Sequence, residues 1–409
     1  MFLFENCTLI DGVSDSPKEG MNVLVEGNEI REVNDAPIRS ASARRFDLKG
    51  RTLMPGLIDA HVHVYAIHLN QELTRGMPHT LMMAHAIPRV RGMLERGFTT
   101  VRDVAGGDFG MKQAIAAGLV DGPRLFISGR ALSQTGGHGD HRFLTDESVP
   151  CACTSALDIM TRIADGVENV RYTVREELRK GADHIKVLVS GGVGSPHDLL
   201  ENTQYSMDEI RVAVEEARAR GTYVAAHSYT PLSMRRAVEC GVRTIEHGNF
   251  VDMDTARFMA ERGAYMVPTL ICYRESADNA DEYGLSDTVK QKLREVNRAG
   301  LQMLEVCRDA GLRMGFGTDL MGEMIVAQSK EFSLRAQVLP AMDIIRSATS
   351  MNAEILNQSG RLGCIAPGAL ADLLVVDGNP ADDITLLEKP GSHFHAIMKD
   401  GKFFKNLLN

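Results

Sequence analysis

Between residues 57 and 319 the chain alternates eight short apolar runs with helical patterns, and no other feature constrains its fold as tightly. The runs are LIDAHVHV (57–64), TTVRDVAG (99–106), RLFISGR (124–130), HIKVLVSGG (184–192), YVAAHS (223–228), RTIEHGN (243–249), YMVPTL (265–270) and RMGFGTD (313–319). Short β-branched and apolar runs bounded by Gly, Asn or Asp read as strands. Between most of them lie helical stretches such as AHAIPRVRGMLERG, VRYTVREELRKG, SMDEIRVAVEEARARG and DTARFMAERG. Each of these ends in a glycine placed to cap a helix C-terminus. Eight such units predict a parallel (β/α)8 TIM barrel closed by right-handed crossovers. A doubly wound open sheet is the alternative. The count of eight, and the lack of a strand leading into a Gly-x-Gly-x-x-Gly turn, favour the barrel. Gly191-Gly192-Val193-Gly194 lacks the Gly-Lys-Ser/Thr ending of a phosphate loop and reads as an ordinary loop after a strand.

The two ends of the chain differ from this middle and resemble each other. FLFENCTLIDG, NVLVEGNEIREVN and RRFDLKGRTLM alternate with turn signals and predict a small antiparallel β-domain. ADLLVVDGNP and FHAIMKDGKFFKN repeat the pattern, with Asp400-Gly401 as a hairpin turn. Residues 1–56 and 362–409 are therefore expected to form one β-sandwich that brackets a barrel domain at 57–361.

Charge and composition narrow the partners. A net charge of −9 and the lack of a basic patch with interleaved aromatics argue against nucleic acid. No apolar run reaches the ~18 residues of a membrane span. The start, MFLFENCTLIDG, meets Glu5 early and has no basic segment, so no secretory leader is expected. Seven scattered cysteines, an odd number, fit reduced thiols and a cytoplasmic location. Cys151-Ala152-Cys153 is the only tight pair, and without a second pair it is not read as a metal site.

Lys186 sits inside the strand-like run Ile185-Lys186-Val187-Leu188-Val189, where an unpaired ammonium is costly and a lysine loses its proton or finds a partner. Read alone, the residue is a snorkelling or ion-paired lysine. Other polar residues fall on the neighbouring runs. His61 and His63 are two apart on one strand and so share a face. His227 ends the fifth run, His247 the sixth and Asp319 the eighth, at the C-terminal mouth where barrels place catalytic groups. Each alone has an ordinary structural reading, such as Asp319 capping the next helix. Six donors converging on one mouth instead suit Zn²⁺ or a similar divalent metal.

These residues resemble the amidohydrolase superfamily. PGLIDAHVHV, TTVRDVAGG, GADHIKVLVSGG, AAHSY, TIEHGN and FGTD occur in that family's order, and ADLLVVDGNP matches its tail. The resemblance implies a metal-binding barrel with a β-sandwich built from both chain ends. A lysine on the fourth strand implies two divalent metal ions bridged by a CO2-derived carbamate on that lysine. By position, His61, His63 and Asp319 would hold the more buried metal, His227 and His247 the more exposed one, and carboxylated Lys186 would bridge them. Asp319 would also shuttle the proton from the attacking water to the leaving nitrogen. SQTGGHGDHR, VRYTVREELRKGADHIK and AAHSYTPLSMRRAVECGVRTIEHGN are similar to the prolidase-like and imidazolonepropionase-related group. That likeness implies His138, His141 or Arg142 for the substrate's α-carboxylate and the Tyr229 hydroxyl for the oxyanion.

The leading expectation is a binuclear metallo-amidase for a dipeptide (Xaa-Pro, or Xaa-Arg/Lys) or an N-acyl amino acid. A C-terminal Arg or Lys would want a carboxylate in the pocket, for which Asp140, Asp198 and Glu201 are the candidates. A cyclic-amide hydrolase of the imidazolonepropionase or hydantoinase type is the alternative. The single-metal deaminases share His-x-His and the late aspartate but lack the lysine. A scaffold with a decayed site is disfavoured because every ligand is present. A homo-oligomer acting on a small molecule, without nucleic acid or membrane, is expected.

Overall fold

The computed structural model describes residues 1–69, 74, 77–142, 145–146, 159–195 and 198–408; Cys151 and Cys153 lie outside them. Its centre is a parallel barrel. Seven of the expected strands form at Leu57–Val62, Phe98–Asp103, Arg124–Ile127, Ile185–Leu188, Val224–Ser228, Thr244–His247 and Tyr265–Val267. All seven pair parallel with a neighbour. The third and fourth strands meet where Asp183 N–H donates to Ile127 O at 2.7 Å.

The eighth run makes only a bridge, Met266 with Met314, rather than a full strand. The cause is local. Gly315 N–H donates to Met266 O on one side, and Phe316 O accepts from Ala60 N–H on the other, both at 2.8 Å. The Asn352 side chain then takes over part of the ladder, donating to Ile58 O at 2.7 Å and Phe316 O at 2.8 Å and accepting from Phe316 N–H at 3.1 Å. Seven strands and this stapled segment close the barrel.

The predicted helix stops are present. Gly97, Gly181, Gly221 and Gly263 all have positive φ, between 66° and 97°. At each, the N–H closes the last turn onto a carbonyl three residues back. Gly97 has a second duty, because a Cβ there would sit 2.5 Å from Phe394 and 3.1 Å from Leu374. It is one of the points where barrel and sandwich touch. Gly97→Ala combines a left-handed φ with overpacking and is expected to cost about 1–3 kcal/mol, read as a lower denaturant midpoint.

The chain ends pair into one sheet, as expected. Thr52–Pro55 lies antiparallel to Leu373–Val376, which continues through Phe394–Lys399 to Lys402–Asn406 around the Asp400-Gly401 turn. The N-terminal part is mixed rather than purely antiparallel. Phe2–Leu9 runs parallel to both Arg44–Asp47 and Thr52–Pro55, which lie end to end along one of its edges. The Leu48–Arg51 turn between them interrupts the strand without reversing it, which is why alternation alone misjudged the direction. Phe4, Phe46 and Phe403 pack together at 5.7–6.3 Å and join the first segment to the last. Cys7, Cys240, Cys272, Cys307 and Cys364 are buried free thiols. Among the described residues no helix is long and apolar enough to cross a membrane.

Candidate active site

His61, His227 and His247 lie at the carboxyl ends of their strands, His63 one residue beyond the first, and Asp319 at the end of the bridged eighth run. Lys186 is set deeper in the fourth strand and is 2% exposed. His247 and Asp319 have φ of 73° and 54°, a region that side chains rarely adopt. An unbroken strand would send consecutive residues to opposite faces. The turn at His247 lets both it and Glu246 serve the barrel interior.

Ligand atoms of His61, His247 and Asp319 all lie within 4.8 Å of one another, a group able to hold a metal ion. His63 Nε2 stands 3.1 Å from Asp319 Oδ1, and the His227 and His247 ring centroids are 4.6 Å apart. Burial and the neighbouring cations push the His227 and His247 imidazoles well below their ordinary range, which leaves them neutral, the form a metal needs. Burial opposes the charge on Asp319, but His61, His63 and His247 outweigh it and hold the carboxyl well below the usual range. Burial pushes the Lys186 amine down to about 8, against the pull of Glu246. Among the described residues Lys186 Nζ makes no hydrogen bond or ion pair. Neutral imidazoles, a carboxylate and a buried lysine beside them fit a divalent metal centre.

Several residues that sequence reasoning missed hold these groups in place. Glu246 Oε2 accepts from His61 Nδ1 at 2.8 Å, which turns His61 Nε2 toward Asp319, 3.5 Å away. Arg102, fully buried, donates to both Glu246 oxygens at 2.8 and 2.9 Å and to Ala60 O at 2.5 Å. Asp59 accepts from His61 N–H, Thr318 and Gln328, tying the first strand to the loop of Asp319. Asp103 accepts from the N–H groups of Val64, Ala105 and Gly107. His247 Nδ1 lies 2.9 Å from Thr269 Oγ1 and 2.8 Å from the Tyr273 hydroxyl.

The expected substrate contacts divide. Tyr229 stacks on His247, and its hydroxyl is 2.7 Å from that of Tyr273. His138 stacks on His227 with ring centroids 4.5 Å apart and planes 15° apart. Its other face rests on Gly192, where any Cβ would overlap the ring. The double glycine is therefore more than an ordinary loop: it makes the seat for His138. The His138 Nδ1 atom has no hydrogen-bond partner among the described residues. Arg142 donates to Asp140 through Nε at 2.8 Å and Nη2 at 2.5 Å. Burial, then His138, pushes the His141 imidazole down to about 4.

A barrel that gathers buried histidines and an aspartate at its C-terminal mouth has the form of a metal-dependent hydrolase site. The model of the amidohydrolase family matches residues 52–403, and the chain belongs to that family. It is similar to a crystallised amidohydrolase at 51% identity and TM-score 0.97, with all of both chains covered. A prolidase crystallised with N-methylphosphonate-L-proline is 46% identical, with TM-score 0.96 and 99% of each chain covered. Ochratoxinase of Aspergillus niger is 31% identical over 370 residues, 86% of this chain and 75% of that protein.

Proposed function

We propose that the protein hydrolyses the amide bond of a dipeptide whose C-terminal residue is proline or another neutral residue, using two divalent ions. His61, His63 and Asp319 would hold one ion, His227 and His247 the other, and a carbamate on Lys186 would bridge them. Zn²⁺ suits this donor set. Ions held there would supply an acidified water and polarisation of the scissile carbonyl.

The chain's own residues carry the remaining steps. Asp319, held ionised, takes the proton of the attacking water and passes it to the leaving nitrogen. With His247 Nε2 given to a metal, its Nδ1 keeps the proton and donates toward Tyr273 or Thr269. Tyr273 then donates to the Tyr229 oxygen, and the Tyr229 O–H is left for the developing oxyanion.

His138 carries the dipeptide reading. It is seated against His227 with Nδ1 facing the Asp198 carboxylate at 3.6 Å, which leaves Nε2 as the ring nitrogen to take the α-carboxylate of the substrate. The neutral side chain follows from the acids. Asp140 is paired with Arg142, Asp198 is enclosed by Gln204 and Lys292, and Glu201 is exposed. Asp140 and Asp198, the two enclosed acids, are therefore already engaged and not free for a substrate Arg or Lys. The similarity to a prolidase that binds an L-proline phosphonate supports the same class.

The test is the metal-loaded enzyme against dipeptides and N-acyl amino acids varied at the C-terminal residue, with cyclic amides alongside. Xaa-Pro and apolar C-termini are expected to exceed Xaa-Arg and Xaa-Lys by at least about a hundredfold in kcat/KM, the cost of an unpaired cation in the pocket. Turnover of a cyclic amide with none of any dipeptide would overturn the assignment.

A further inference from the structure

We propose that Lys292, on a helix that supplies no metal ligand, is a positioning residue that builds the carboxylate-binding seat of His138. The inference deepens the dipeptide reading and rests on it.

Lys292 belongs to the helix Asp287–Asp309 and is only 6% exposed. Its helical neighbours Leu293 and Val296 sit in an apolar cluster with Val193, Leu200, Tyr229 and Tyr273. A lysine in such a place needs a strong reason to be charged. Here its ammonium donates to Gly192 O at 3.0 Å, to Ser195 O at 2.8 Å and to Asp198 O, and lies 3.6 Å from the Asp198 carboxylate. An ammonium has three N–H bonds, and three carbonyls of one loop take them all.

The loop so gathered follows the strand of Lys186 and forms two sides of the His138 seat. Gly192 is the surface on which the imidazole lies. Asp198 Oδ2 stands 3.6 Å from His138 Nδ1 and accepts from Gln204 Nε2 at 3.0 Å. Gln204 Oε1 in turn accepts the His138 backbone N–H at 2.9 Å. Three carbonyl dipoles aimed at one point repel each other unless a cation sits there. Without Lys292 the loop has no reason to stay folded over Gly192, and Asp198 loses the charge beside it. Lys292 thus touches neither metal ligand nor substrate, yet it sets where His138 points.

The test uses the metal-loaded full chain and two substrates, a dipeptide that the wild type cleaves and the same dipeptide as its C-terminal amide. Lys292→Met is expected to raise KM for the free dipeptide about tenfold or more, the loss of a charge-assisted contact. Its kcat should stay within about threefold, and KM for the amide and the metal content should not change. Lys292→Arg should recover part of the loss. Asp198→Asn, which keeps the loop's volume, should show the same split and serves if Lys292→Met does not fold. Equal effects on both substrates, or none on either, in both variants would overturn the role of Lys292. A wild type that binds dipeptide and amide equally would instead overturn the carboxylate reading of His138, before any variant is made.

Discussion

Lys186→Ala is expected to lose its bound metal and at least about a thousandfold in kcat/KM, because the activated water goes with the ions. Lys186 is 2% exposed on the fourth strand and makes no hydrogen bond or ion pair among the described residues. An ammonium left in that state is unfavourable, and burial already pushes the group down to about 8. A neutral amine has a lone pair to give. Adding it to CO2 forms the N–C bond, releases the amine proton and leaves a carboxylate at the end of a four-carbon arm. That anion suits a position between two dications, and it removes the cost of the buried cation. Alanine deletes the arm and leaves a cavity of its shape. Formate, acetate or propionate should then restore part of both the metal content and the activity, in proportion to how well each fills that space. Metal analysis and kcat/KM across an acid titration give the result, and a variant with full metal and full activity removes the bridging role.

The barrel and the outline of its mouth were legible because their signals are local. A strand is six residues of pattern, a helix stop is one glycine, and a polar residue closing an apolar run sits at a barrel end whatever else the chain does. Pairing across the fold was not legible. Arg102 and Glu246 each break a buried strand as plainly as Lys186 does, in FTTVRD and TIEH. They meet across 144 residues of sequence, and only the closed barrel shows that each neutralises the other. Lys292 gave no sign at all. In DTVKQKLREVNRAG it reads as one more charge on a solvated helix, and its burial comes from a loop a hundred residues earlier. Arg142 is the reverse case: a guanidinium in a polar loop reads as a lone charge, and only the structure shows its near neighbour Asp140 paired with it. Glycine pairs carry a similar ambiguity, since Gly191-Gly192 marks both the end of a strand and the surface on which His138 lies.

Arg102→Met should separate what holds the barrel together from what aims its ligands. Arg102 and Glu246 are both fully buried, and Glu246 also accepts from Thr244 at 2.6 Å and from His61 Nδ1 at 2.8 Å. Removing the guanidinium strands a carboxylate in the barrel interior, an error of about 3–5 kcal/mol, read as a lower urea midpoint in the metal-free protein. Replacing the pair by apolar residues, Arg102→Met with Glu246→Leu, should return most of that stability, since no buried charge is left uncompensated. It should not return the site. His61 Nδ1 then has no acceptor, the ring is free to turn, and the tautomer that presents Nε2 beside Asp319 is no longer fixed. Metal affinity in the double variant should therefore stay about 10–100-fold below wild type, the usual loss when a ligand histidine is left without its partner. Stability and affinity recovering together would mean that the pair is only a packing element. Stability recovering alone would mean that the charge pair is kept in the core to aim His61.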